Sequence, residues 1–196
     1  MAFVLPTWPG PSRMTPRPIS ARGEARPGTN AGPVTRLPRP GTRWAWDITM
    51  PPMTYVESLA WDDLLTEHET VVMDILQPGL VIGEPGSPRI NGANQSGMML
   101  NLDGLAAGYV VRKGQWLSFD VVGQIYAYKA AATVAASGAG ALALPLRTML
   151  RLPPADNAVV NIAAPQAEGF ATVEPSSMEV DTDGLVRLRF TLEERD

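Results

Sequence analysis

The sequence predicts a mainly β protein, a β-sandwich or barrel with one short helix and an extended N-terminal arm rich in proline and arginine. Nineteen prolines and eighteen glycines among 196 residues break the chain into short elements and argue against a helical bundle. Short runs of alternating apolar and polar side chains are typical of half-buried strands. The last two of these runs flank Asp183-Gly184, a tight-turn dipeptide, and therefore predict a hairpin.

Residues 1–42 form the predicted arm, and residues 43–196 form the predicted β-rich globular domain. Residues 1–43 contain seven arginines and one acidic residue, Glu24, for a net charge of +6, so the rest of the chain carries −10. The same stretch holds nine of the prolines. Because proline lacks an N–H donor, we expect no helix interior and no central strand there. The apolar residues spaced along the arm favour an extended strap that lies in grooves on another surface.

We expect the arm to contact a neighbouring subunit, with Trp8 as its anchor, because an arm has no core of its own. The candidate interaction residues are Trp8, Arg13, Arg17, Ile19, Arg22, Arg26, Arg36 and Arg39. A disordered tail and a nucleic-acid-binding arm are the alternative interpretations. Against nucleic-acid binding, the arginines stand singly beside proline and glycine, and the chain behind them is acidic.

Behind the arm, each element follows from a local pattern. Trp44, Trp46 and Ile48 alternate with polar or small residues, which predicts a strand, and Thr54 with Glu57 forms a capping box ahead of a helix over 58–67. Further strands are predicted at 71–77, 89–95, 96–102, 109–112, 116–121, 124–129, 159–162, 169–173, 178–182 and 185–192, with strand, turn and strand over 130–144. Residues 83–88 are predicted to be a loop and Asp103-Gly104 a tight turn.

Four tryptophans, Trp44, Trp46, Trp61 and Trp116, occupy positions within predicted elements, and we expect them to pack in the core. A ligand platform on the strand that carries Trp44 and Trp46 is the alternative. Trp8 differs because it lies in the arm.

Motifs for catalysis are weak. The chain has no cysteine and one histidine, His68, which excludes disulfides, thiolate metal sites and thiol nucleophiles. Ser96 lacks the glycine that precedes the serine of a nucleophile elbow. The residues 138–143 match the dinucleotide fingerprint, but Pro145 leaves no room for the helix that must follow. Acidic clusters at 62–69 and 181–196 are predicted to be solvated. We therefore expect no enzyme, no cofactor and no metal site.

The order of motifs resembles that of minor virion proteins in the tails of long-tailed bacteriophages, the distal tail or tail-tip proteins. The motifs that carry the resemblance are Pro16-Arg-Pro-Ile-Ser-Ala-Arg22, Trp44-Ala-Trp46, Gln77-Pro78, Gly83-Glu-Pro-Gly86, Ile90-Asn-Gly-Ala-Asn-Gln-Ser-Gly97, Gly108-Tyr-Val-Val-Arg-Lys-Gly-Gln-Trp116 and Leu144-Pro-Leu-Arg147. They are turns and aromatic residues spread over nearly the whole chain.

The resemblance implies a β-rich structural virion protein that assembles into a ring, expected to be hexameric, and joins the tail tube to the baseplate. Its partners would be further copies of itself and other phage tail proteins, without a membrane and without sequence-specific nucleic acid. Passage of DNA through the lumen of the ring is a further expectation. The protein would be assembled in the host cytoplasm and reside in the phage tail.

Two other functions stay open from the sequence. A receptor- or carbohydrate-binding module at the phage tip would use exposed aromatic residues on a β-face, with Trp116, Tyr126 and Tyr128 as candidates. A small hydrolase based on carboxylates is the other, and it would draw on Asp62, Asp63 and His68.

Overall fold

The computed structural model describes residues 2–20, 23–25, 35–37, 41–61, 64, 70–173, 179–180 and 182–195. These residues form a mainly β fold, which confirms the predicted fold class. In chain order the elements are β1 (Phe3–Val4), β2 (Arg13–Ile19), β3 (Gly23–Ala25), β4 (Thr35–Leu37), β5 (Arg43–Thr49), α1 (Tyr55–Leu59), β6 (Val71–Asp74), β7 (Gly86–Ile90), β8 (Met99–Leu105), β9 (Val110–Val111), β10 (Trp116–Val121), β11 (Gln124–Lys129), β12 (Val134–Ala135), β13 (Leu142–Pro145), β14 (Val160–Asn161), β15 (Gln166–Val173), β16 (Glu179–Val180), β17 (Val186–Arg187) and β18 (Arg189–Glu194).

Six strands form one mixed sheet in the order β1-β6-β15-β18-β5-β2. Neighbouring strands are antiparallel except β1, which runs parallel to β6. Alternation along β5 buries Trp46 and Ile48 in a first hydrophobic core and leaves Asp47 exposed. Phe190 and Leu192 of β18 join the same core. The period-2 pattern predicted for these two strands is confirmed, and it decides which face of the sheet is buried.

A second hydrophobic core lies between the strands from β7 to β14. Three smaller sheets, β11-β10-β14, β13-β8-β7 and β12-β9, contribute to it. Leu102 of β8, Phe119 of β10 and Leu144 of β13 are buried there. Trp116, the first residue of β10, belongs to the first core instead, and so does Ala127 of β11. The β10–β11 hairpin therefore takes part in both cores and joins them.

The first two strands belong to the six-stranded sheet. Phe3 pairs with Val71, Leu5 is buried in the first core, and Met14 packs against that core. Pro16 and Pro18 lie in β2, the strand at the edge of the sheet. Proline is tolerated on an edge strand because its missing N–H can face the side that has no neighbouring strand. The predicted boundary at residue 42 stays a prediction, but β1 and β2 pair with strands that follow it.

The helix begins where the capping box places it. The Thr54 hydroxyl accepts a hydrogen bond from the Glu57 amide (3.4 Å), and the Glu57 carboxylate accepts one from the Thr54 amide (2.8 Å). α1 then covers a single turn, Tyr55–Leu59, so the predicted bounds of 58–67 are wrong: the helix begins earlier, and residues 60 and 61 form a turn. Most of the predicted continuation to residue 67 lies outside the described residues, although Trp61 and Leu64 are buried in the first core.

The loop predicted at 83–88 and the strand predicted at 89–95 are wrong in their bounds. β7 starts at Gly86 and ends at Ile90, so Pro88 lies inside a strand and residues 91–95 do not. The register of β7 against β8 shifts between Gly86 and Arg89. A bulge accommodates a residue that cannot donate to the ladder, so proline there does not end the pairing.

The turn predicted at Asp103-Gly104 is also wrong, because both residues lie within β8. Gly104 has a φ of +69°, and a Cβ at this position would collide with the carbonyl oxygen of Ser87 on β7. The glycine is thus required by the close approach of two strands rather than by a turn. Sequence alone does not distinguish these two requirements.

Other predicted elements are confirmed. β10 and β11 have the predicted bounds. The region 130–144 holds β12, a turn and β13, but these strands pair with β9 and β8 and not with each other. At the C-terminal hairpin, β16 pairs with β17 on either side of Asp183-Gly184. The four predicted core tryptophans are all buried.

Candidate functional site

The predicted interaction residues fall into three groups in the structure. Trp8 lies between β1 and β2 with 76% of its surface exposed. Arg13, Arg17 and Ile19 lie on β2, where both arginines are exposed and Ile19 is partly buried. Arg36 lies in β4, and Arg22, Arg26 and Arg39 lie outside the described residues. Their contact with a partner stays a prediction.

Between β2 and β5 the chain forms a two-stranded ribbon. β3 pairs with β4 in antiparallel register from Gly23↔Leu37 to Ala25↔Thr35. In the part of the chain that the structure describes, these two strands join no other sheet. In the large sheet, β2 ends at Ile19 and β5 begins at Arg43, and these two residues pair with each other. The ribbon therefore lies, in the sequence, between two paired strand ends. Because an isolated two-stranded hairpin is at best marginally stable in water, this ribbon is suited to pairing with a further surface.

The outer face of the large sheet carries charged and hydroxyl side chains in register. Arg17 of β2 lies beside Asp47 of β5, with Nε 3.4 Å from Oδ2. Thr191 of β18 donates its hydroxyl to Asp47 Oδ1 (3.1 Å). Arg43 forms an ion pair of 2.9 Å with Glu193. The face is therefore polar, and its charges are matched around Asp47 and Glu193.

One carboxylate, Glu194, is buried where the two cores meet, and the sequence prediction missed it. Glu194 is 1% exposed, and it accepts hydrogen bonds from the amides of Trp44 (2.9 Å) and Ala127 (3.0 Å). The Arg151 guanidinium lies 3.4 Å from its carboxylate. Burial raises the pKa of Glu194, while Arg151 and the two amides act in the opposite direction.

A second buried carboxylate, Glu168 of β15, lies beside the same edge of β11. It accepts a hydrogen bond from the Ile125 amide (2.9 Å) and pairs with Arg195 at 3.4 Å. With Glu194, it satisfies two amides along the edge of β11 that no strand covers. These carboxylates hold the β10–β11 hairpin against the large sheet, which is a structural role.

The prediction that the C-terminal acidic residues are solvated is wrong for Glu194. Glu194 continues the alternation of Phe190 and Leu192, so β18 places it on the inward face. The signal was present in the sequence as a period-2 pattern that runs through a charged residue. Glu193, one residue earlier, lies on the other face and is partly exposed, as expected of that pattern.

The aromatic residues suggested for a carbohydrate platform are buried, so that prediction is wrong. Trp116, Tyr126 and Tyr128 are exposed by 5%, 3% and 2%. Trp116 packs between Trp44 and Trp46 in the first core, with ring centroids 4.7 and 5.7 Å away. Burial raises the pKa of Tyr128 to about 12, and its hydroxyl accepts a hydrogen bond from the Arg151 amide. A platform needs accessible rings, and these three rings are enclosed.

Among the described residues, the structure does not bring the other candidates for chemistry together. His68 and the acidic residues near it lie outside the described residues, while Ser96 is exposed in the segment between β7 and β8. Residues 137–140 form a turn between β12 and β13, without the helix that a dinucleotide site requires. Among the described residues, no three His, Cys, Asp or Glu side chains group as metal ligands would.

The part of the chain that the structure describes contains no helix long and apolar enough to cross a membrane. No protein-family model matches the sequence, and no curated protein matches it.

Proposed function

We propose that this protein is a structural virion protein of a tailed bacteriophage, a ring-forming subunit of the distal tail or tail tip. In this role it joins the tail tube to the baseplate through contacts with copies of itself and with other tail proteins. The ring is expected to be hexameric, with a lumen through which DNA passes. The phage assignment rests on the motif resemblance, and the assembly role rests on the ribbon.

The β3–β4 ribbon is the observation that carries the assembly role. Two short strands that pair with each other and with no other described strand form a hairpin that is at best marginally stable on its own. A subunit in a ring gains a partner surface for such a ribbon at every position around the ring. The ribbon therefore supports an interface with a neighbouring subunit better than it supports a catalytic or ligand-binding role.

Charge supports the same arrangement. Residues 1–43 carry +6 and the remaining residues −10, so complementary charge would favour contact between this basic segment of one copy, which includes the ribbon, and the acidic remainder of the next. Trp8, exposed in the loop before β2, adds a large apolar side chain near the same sheet. Complementary charge steers association, and the aromatic anchor supplies buried area.

Replacing the ribbon while keeping the sheet tests this proposal. Because Ile19 pairs directly with Arg43, residues 20–42 can be exchanged for a four-residue turn containing Asn-Gly without changing the register of β2 and β5. We expect the variant to fold but to lose ring assembly, measured by light scattering after size exclusion and by negative-stain electron microscopy. Truncation at residue 43 is a poorer test, because it also removes β1, β2 and the buried Leu5.

A surface change away from the ribbon is the matched control. Val81 is 86% exposed, and Val81→Ser should leave assembly as in the unmodified protein. Rings of unchanged size from the ribbon-replaced protein would refute the assembly role. The receptor- or carbohydrate-binding alternative draws no support from Trp116, Tyr126 or Tyr128, which are buried.

A further inference from the structure

We propose that the outer face of the six-stranded sheet holds a binding site for a phosphate-type oxyanion, formed by Arg13, Arg189 and the hydroxyls of Thr49 and Thr172. This site does not depend on ring assembly. Arg13 on β2 and Arg189 on β18 are both cross-strand partners of Thr49 on β5. Cross-strand partners project from the same face of a sheet, so the two arginines flank one threonine.

The spacing suits a ligand held between two guanidinium groups. Neighbouring strands lie about 4.8 Å apart, which places the Cα atoms of Arg13 and Arg189 roughly 10 Å from each other. Arginine side chains are long enough to converge on one ligand over this separation. A guanidinium binds phosphate oxygens in a bidentate manner, so two of them match a tetrahedral dianion.

The two arginines differ from others on this face. Arg17 pairs with Asp47, and Arg43 pairs with Glu193. Arg13 and Arg189 are exposed and form no ion pair within the described residues. They therefore leave two positive charges in the row of Thr49 that no described side chain neutralises.

The nearest described carboxylate is already occupied. Asp47 lies one row along the sheet and interacts with the Arg17 guanidinium and the Thr191 hydroxyl. Its charge is thus offset before a ligand arrives. Glu174, which follows β15 in the chain, lies outside the described residues.

A depression of about 230 Å³ lies beside Arg189. Its lining includes Asp47, Thr49, Thr172, Thr191 and Arg189, above the buried side chains of Ile48 and Phe190, and Arg13 lies next to it as the other cross-strand partner of Thr49. The Thr191 hydroxyl donates to Asp47, which leaves the hydroxyls of Thr49 and Thr172 as donors to a ligand. The one carboxylate in the described lining, Asp47, already pairs with Arg17 and Thr191. The remaining hydroxyl and guanidinium donors favour an oxyanion over a cation or an apolar ligand.

Titration of the full-length protein with inorganic phosphate tests the site. We expect backbone amide signals of Thr49, Thr172 and Arg189 to shift and saturate in ¹H–¹⁵N spectra recorded at constant ionic strength, with a dissociation constant on the order of 1 mM. Sodium chloride at matched ionic strength should not reproduce the shifts. Arg189→Ala should weaken phosphate binding about fivefold, and Arg13→Ala with Arg189→Ala tenfold or more.

Two further variants make the result specific. Arg112→Ala removes an exposed arginine from the other part of the molecule and should leave phosphate affinity unchanged. Asp47→Asn removes the nearest negative charge and should strengthen binding by about twofold. If Arg13→Ala destabilises β2, the protein will unfold at a lower temperature. In that case the phosphate affinity of Arg189→Ala alone tests the site.

The outcomes separate the possibilities. Shifts that do not saturate, or that survive the double substitution, would show that phosphate does not bind here. Shifts that follow protein concentration instead of phosphate would show that the arginines meet a second copy of the chain, which contradicts the site. Loss of phosphate binding leaves ring assembly untouched, so this failure is distinct from failure of the assembly role.

A short DNA duplex distinguishes the two sources of phosphate. If the duplex shifts the same amides and competes with inorganic phosphate, the site binds phosphates of a nucleic-acid backbone, and affinity should fall with salt. If the duplex does not compete, the site takes free phosphate. Either result retains the oxyanion site, and a duplex that shifts only amides elsewhere supports free phosphate.

Discussion

Single glycines decide where the strands of the second core approach each other. Gly86 on β7 pairs with Leu105 on β8, next to Gly104. Both glycines have a positive φ, and a Cβ on either would collide with backbone of the opposite chain segment. Gly108 also has a positive φ, but nothing lies near its missing Cβ. Glycine is therefore required for two different reasons. At Gly108 the positive φ alone requires it, whereas at Gly86 and Gly104 there is also no room for a Cβ.

Gly104→Ala separates these demands. We expect it to lower the free energy of unfolding by on the order of 3 kcal/mol, because the methyl group meets both an unfavourable φ and the Ser87 carbonyl. Gly108→Ala, the matched control, meets only the unfavourable φ and should cost about 1 kcal/mol. Urea unfolding of both variants measures the difference. Equal losses would contradict a close approach at Gly104.

The β10–β11 hairpin illustrates what sequence specifies at the level of elements. Its bounds follow from alternation on both sides of Val122-Gly123, and the structure has the same bounds. The two turn residues have φ of +55° and +79°. Two consecutive positive φ values are typical of a type I′ turn, which favours Asn-Gly, so valine is a poor choice at the first position. Val122 is 95% exposed and gains no burial in return.

Val122→Asn should therefore stabilise the protein. Asparagine adopts positive φ more readily than a β-branched residue, and we expect a gain of about 1 kcal/mol in the free energy of unfolding. Val81→Asn is the control, because Val81 is similarly exposed and has no positive φ. Thermal and urea unfolding measure both. A loss of stability in Val122→Asn would mean that the valine makes a contact that outweighs the strain.

At the scale of the whole molecule, the two hydrophobic cores are joined by the β10–β11 hairpin and by the buried carboxylates Glu168 and Glu194. Apolar burial alone does not hold this junction, because the edge of β11 presents amides that need acceptors. The carboxylates supply those acceptors, and Arg151 and Arg195 balance their charge. Desolvation of Glu194 is the cost of this arrangement.

The pH dependence of the free energy of unfolding measures the cost of burying the charged form of Glu194. Burial raises the pKa of Glu194 above its ordinary value of 4.5, so its contribution to stability is full below that value and is lost as pH rises through the folded-state pKa. We expect the free energy of unfolding of the unmodified protein, relative to Glu194→Gln, to fall as pH rises above the ordinary carboxyl pKa of 4.5. Urea unfolding at a series of pH values measures it. If the difference in free energy of unfolding between the two proteins is constant or grows with pH, then Arg151 and the two amides stabilise the charged carboxylate by more than burial destabilises it.

Local patterns in the sequence determined the mainly β class, the hairpins at β10–β11 and β16–β17, and the capping box at Thr54, because each depends on residues adjacent in the chain. The ribbon lies in the region that composition marked for assembly, yet its pairing is a tertiary result. The strand role of Gly104 and the row of Arg13, Thr49 and Arg189 were decided by tertiary structure. They depend on which strands become neighbours and in what register, and pairing over long sequence separations leaves no local signature.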